Sequence, residues 1–176
     1  VVVAQEQKNA LLGNGLFLAG ALLHYGLVYP QASRIDPTDL GEVAALVSPQ
    51  LLAMGLKMVG TPTACLAATQ AREAFGSALP SSAPRNLSWS LYWSGWGFFI
   101  SGYALASLGL YQENSTMVDL GGGAIIGADV IWLGSGLYAW WSIHKLGLSP
   151  APTAQRVSLM PLVVSEGGGL GVRVAF

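Results

Sequence analysis

Lys57 and Asp129 are the two charged residues that lie deep inside the apolar stretches of this chain. Each stands nine residues in from the outer end of its stretch, counted from Ser48 and from Leu120. At about 1.5 Å of rise per helical residue, both fall roughly 14 Å below that end. A lone charge at such depth costs about 2.5–3.5 kcal/mol on insertion scales, so opposite charges at one level are expected to pair across helices. His24 stands six residues before Pro30, about 9 Å down on the same count and within reach of Lys57. The chemistry this trio offers is a proton or ion relay: Asp129 carries the proton, Lys57 tunes it and His24 bridges to the outer side. The competing readings are a structural pair that fixes how two halves of the molecule dock, and a Lys57 that snorkels to the interface and meets nothing.

Other reactive residue types lead nowhere. Leu133-Gly134-Ser135-Gly136 has the form of a serine nucleophile turn. His144, however, lies nine residues on, about 14 Å along a helix, and His24 is at another depth, so no base reaches the serine. Cys65 is the single cysteine, which excludes an internal disulfide and a multi-cysteine metal site. It reads as a small packing residue. His24 and His144 are far apart and have no ligand spacing, so no metal and no cofactor is expected, and the chain is read as a non-enzyme. Trp89, Tyr92, Trp93, Trp96 and Phe99 form an aromatic stripe at helical spacing. Such a stripe is a candidate face for lipid, quinone or pigment, and equally an interfacial belt or a contact with another helix.

These residues need long apolar rods to hold them. Hydrophobic residues make up 52% of the chain and charged residues 10%, against about 25% charged in a soluble domain. So few charges cannot cover a water-facing surface, and lipid must be part of the solvent. The mean hydropathy of +0.51 is modest because 23 glycines dilute it. A net charge of −1 with scattered Lys and Arg leaves no basic stripe for nucleic acid.

Gly13-Asn14-Gly15-Leu16-Phe17-Leu18-Ala19-Gly20 occurs a second time, 82 positions on, as Gly95-Trp96-Gly97-Phe98-Phe99-Ile100-Ser101-Gly102. The expected fold is therefore an all-α membrane protein, a four-transmembrane-helix bundle made from a duplicated helical hairpin. The spans are expected at 9–29, 49–71, 88–111 and 120–143, within a bundle of residues 1–146. Pro30 is expected to end the first span, and residues 36–46 to form a short interfacial helix. Ser48-Pro49 should start the second span and Pro62 should kink it.

Helices in lipid associate through small residues that let backbones approach. Gly13, Gly15 and Gly20 supply these in the first span, Gly95, Gly97 and Gly102 in the third, and Gly123, Gly127 and Gly134 form a stripe on the fourth. Gly122 and Gly136 lie on nearly the opposite face, which favours a central place for that helix. The best match between the second and fourth spans is Gly60-Thr61 against Gly134-Ser135. Two helices per copy make the repeat a parallel one, with its axis along the membrane normal.

Residues 147–176 read as an extramembrane linker and a short β-hairpin, strands 157–164 and 170–176, with Leu170, Val172, Val174 and Phe176 on one apolar face. Lys8, Arg72, Arg85, Lys145, Arg156 and Arg173 gather on one side of the membrane, with Arg34 the lone basic residue opposite. Both termini then lie inside, most naturally in a bacterial inner membrane. The start Val2-Val3-Ala4 before Gln5, with the form of a signal-peptide cleavage end, and the aromatic end at Phe176 support a minority reading as an outer-membrane component.

The function expected from this is a non-catalytic integral subunit of a larger membrane complex, with the lipid bilayer and other membrane subunits, or further copies of itself, as partners. The alternative is a small transporter or channel protomer that moves protons or ions by way of Asp129, Lys57 and His24.

Overall fold

In a computed structural model, residues 2–32, 34, 39–76 and 79–148 are described, with the backbone alone at 156–164 and 167–175. No side chain of the tail beyond residue 148 is described.

Up to residue 148 the described chain is helical. It runs through α1 (Val2–Leu23), a π-helical turn (His24–Val28), short α2 (Tyr29–Ala32), α3 (Leu40–Glu73), α4 (Ser88–Tyr111) and α5 (Ser115–Leu148). The number of long helices is the four expected. Three helical stretches, Val2–Gln31, Leu40–Glu73 and Ser115–Leu148, are long and apolar enough to cross a membrane. The fourth long helix, α4, has 24 residues, but its serines, glycines, tryptophans and tyrosines dilute its hydropathy. Leu22, Leu51, Ile100, Val130 and Leu137 all point outward. A shell of this kind suits contact with lipid tails and not with water.

Several boundaries differ from expectation, and proline is the common cause. Pro30 does not end the first helix. The π-helical turn lies directly ahead of it, with the Tyr29 N–H donating to the His24 carbonyl five residues back. The wider turn accommodates a ring that has no N–H and crowds the preceding carbonyls. Ser48-Pro49 does not start a helix either. The expected interfacial helix and second span are one helix of 34 residues that runs through Pro49 and Pro62. Its N-cap is Asp39, whose carboxylate accepts from the N–H groups of Gly41 at 2.8 Å and Glu42 at 3.2 Å. That cap sets the start one residue before Leu40. The fourth span likewise begins earlier than residue 120, at Ser115, where the Asn114 side chain accepts from the Met117 N–H at 3.1 Å. The turn from α4 to α5 is correspondingly short and places Glu113 at a positive φ of 55°.

α1 packs antiparallel on α3, and α4 on α5. α5 also packs on both α1 and α3, so it joins the two hairpins. The closest approaches are at glycines. A Cβ on Gly13 would lie 2.5 Å from the Gly60 carbonyl, and one on Gly60 would lie 2.6 Å from that of Gly13. Gly102 and Gly121 stand in the same reciprocal contact, at 2.7 and 2.6 Å. Gly20 abuts the Ala53 carbonyl. Between the hairpins the core is built from small residues, among them Ala10, Ala64, Ala68 and Ala139, with Ile143 and Leu146 closing one end.

Candidate functional site

Lys57 and Asp129 meet. Lys57 Nζ lies 2.6 Å from Asp129 Oδ2, and the two side chains are 1% and 7% exposed. One helix of each hairpin supplies each charge, α3 the lysine and α5 the carboxylate. A third group joins them: the Tyr25 hydroxyl donates to the same Asp129 oxygen at 2.7 Å. The Lys57 ammonium also stands 5.2 Å from the centre of the Tyr25 ring, a distance at which the ring quadrupole attracts a cation. Tyr25 belongs to the π-helical turn His24–Val28. Asp129 Oδ1 is buried without a hydrogen-bond partner. The cluster is thus a neutral pair braced by a phenol.

His24 lies beside this cluster without a hydrogen bond to it. It lines, with Lys57 and Tyr25, a cavity of about 660 Å³ whose walls also include Val118 and Asp119 in the first turns of α5. Its Nδ1 is buried and has no hydrogen-bond partner, as is Oε1 of Gln50 on α3.

The aromatic stripe divides. Trp96 and Phe99 pack at 5.3 and 5.4 Å around the indole of Trp132 on α5, and Trp89 packs edge-on to Tyr92. The Trp132 indole N–H donates to the Tyr92 carbonyl at 3.0 Å. Most of the stripe is therefore the seam between α4 and α5, while Trp93 faces outward. Gly95 makes room for that seam: a Cβ there would stand 2.5 Å from the Trp132 ring.

The small residues divide as well. Gly13, Gly20, Gly95 and Gly102 sit in close helix contacts, but Gly15, Gly97, Gly123 and Gly134 meet nothing within 4 Å, and Gly127 only the Phe98 ring at 3.8 Å. The stripe of Gly123, Gly127 and Gly134 lies on the outer face of α5, among exposed Ile126, Val130 and Leu137. The inner face of α5 is made instead by Gly121, Ala128, Asp129, Ser135 and Gly136.

Three groups that position the halves carry no strong signature in the sequence. Asn14, inside the repeated motif, donates from its amide to the Gly136 carbonyl at 3.1 Å. Ser135 donates to the Ser88 carbonyl at 2.6 Å and contacts Cys65 Sγ at 3.2 Å, so the apparent nucleophile turn is a helix tie. Trp132 is the third. A lone carboxamide in an apolar span is the one signal that points to Asn14, because such groups seek interhelical hydrogen bonds.

No family model, no curated protein and no solved structure matches this chain.

Proposed function

We propose that this chain is a non-catalytic integral membrane subunit of a larger complex, and that the Lys57–Asp129–Tyr25 cluster locks its two hairpins together. The observation that carries the reading is the outer face of α5. Glycine costs a helix about 1 kcal/mol relative to alanine unless it serves a close approach. Gly123 and Gly134 serve none within the chain. A partner helix needs such a face, since lipid-embedded helices associate through small residues. Duplication of one hairpin fits the packing: Gly20 abuts Ala53 and Lys57, and Gly102 abuts Gly121 and Ile125. The same shift of 68 positions carries Ala53 to Gly121, Lys57 to Ile125 and Ala64 to Trp132, the neighbours of Gly13 and Gly95. This register takes the place of the Gly60-Thr61 and Gly134-Ser135 match. Both termini on the basic, inner side of a bacterial membrane, a fourth span at α4 and a partner-seeking tail hairpin belong to this reading.

Gly134→Leu tests it. A side chain there meets nothing in the chain, so the bundle should fold. The complex isolated in mild detergent should fall apart. A wild-type chain that purifies alone, or a variant that assembles unchanged, overturns the reading.

The cavity beside Lys57 favours a second reading, a transporter or channel protomer that uses Asp129, Lys57 and His24. Asp129→Asn then abolishes pH-dependent transport in vesicles. As a structural lock it weakens only folding and assembly.

A further inference from the structure

We propose that the cavity beside Lys57 binds the ring of an uncharged, membrane-soluble compound of the quinone or quinol class. Its walls are apolar and aromatic, with Met54, Phe99, Ile125 and Tyr103 among them. Two polar side chains from different helical elements, His24 and Gln50, are among its lining residues, and His24 Nδ1 and Gln50 Oε1 are buried with no hydrogen-bond partner. Buried polar atoms are rarely left unpaired, because they give up water without a replacement partner. Lys57 adds spare donor capacity, since its ammonium has three protons and one carboxylate oxygen at hand.

Charge selects against anions. Asp129 already neutralises Lys57, so an anion finds no free counter-charge and meets Asp119 on the lining. A neutral ring that carries oxygen atoms meets all the requirements. A quinone carbonyl accepts from Lys57 Nζ or the His24 ring N–H, a quinol hydroxyl donates to Gln50 Oε1, and the aromatic walls cover the ring faces. The lining residues Tyr29, Tyr103 and Ile126 are also exposed on the outside of the bundle, so an isoprenoid tail runs sideways into lipid. His24 and Tyr25 reach the cavity from the π-helical turn, a costly geometry that recurs at functional sites.

The test uses the full chain in nanodiscs, with decylubiquinone and its reduced quinol as probes and equilibrium dialysis against protein-free discs. Saturable binding of both forms is expected. Gly122 lines the cavity and a Cβ on it meets nothing within 4 Å, so Gly122→Phe fills the space without displacing backbone. It should weaken both probes by about tenfold or more, a loss of roughly 1.4 kcal/mol. Gln50→Ala removes an acceptor and should weaken the quinol more than the quinone. Circular dichroism and thermal unfolding confirm that each variant is folded. No saturable excess over the bare discs overturns the proposal. So does undiminished binding by a folded Gly122→Phe protein, which leaves water or lipid as the occupant. If Gly122→Phe does not fold, Gln50→Ala decides: equal affinity for the two redox forms overturns it. None of these outcomes bears on Gly134, so the subunit reading stands or falls separately.

Discussion

Asp129 is where single atoms decide most. Its Oδ2 receives both the Lys57 ammonium and the Tyr25 hydroxyl. Taking away one partner of a buried pair leaves the other charge stranded, at about 3–5 kcal/mol. Asp129→Leu and Lys57→Met should each therefore lower unfolding free energy in detergent by about that amount. The double variant should recover much of it, because two apolar side chains need no compensation. A double variant as unstable as the sum of the singles would show that the two groups act independently. Tyr25→Phe removes one hydrogen bond to a charged acceptor and should cost about 1.5 kcal/mol in the same measurement. The depth of the two charges was legible in the sequence, because rise per residue is fixed. Tyr25 was not, since its direction depends on a local widening of the helix that no periodicity encodes. The cavity was not either, since it is the space five elements leave between them.

Glycines divide the elements into faces, and the division is testable position by position. Gly13→Ala presses a methyl against the Gly60 carbonyl and should destabilise by about 1–3 kcal/mol. Gly15→Ala, two residues on, meets nothing and should be neutral or stabilising by up to about 1 kcal/mol. Thermal unfolding of the pair in one detergent checks the contrast. The repeated motif pointed to both glycines alike. Composition states that a residue is small, while helix rotation, set by tertiary packing, states which way it faces. The same gap explains Gly123, Gly127 and Gly134, where a stripe assigned to packing lies on the outer face of α5. Prolines misled for a different reason. Their local penalty is real, but α3 continues through Pro49 and Pro62 because its neighbours hold it. The π-helical turn is the element with a separable role. Deleting Gly26 from His24–Val28 should restore regular winding and rotate Tyr29 away from the cavity. Quinone binding should then fall while the contacts of Gly13 and Gly20, earlier in α1, persist, so that Gly13→Ala still lowers the thermal stability of the shortened chain.

At the scale of the whole molecule, α5 holds the assembly together, since it touches α1, α3 and α4. Of the described helices it is also the last to be made. Lys57 precedes its partner by 72 residues, and at roughly 5–20 residues per second of synthesis that interval lasts about 4–14 s. On the membrane reading proposed above, the nascent α1–α3 pair enters the bilayer carrying an uncompensated ammonium, which stays near a headgroup by bending its own stem until the carboxylate emerges from the ribosome. Birth order makes the lysine a clock for completion: a chain truncated before Asp129 keeps its charge unanswered.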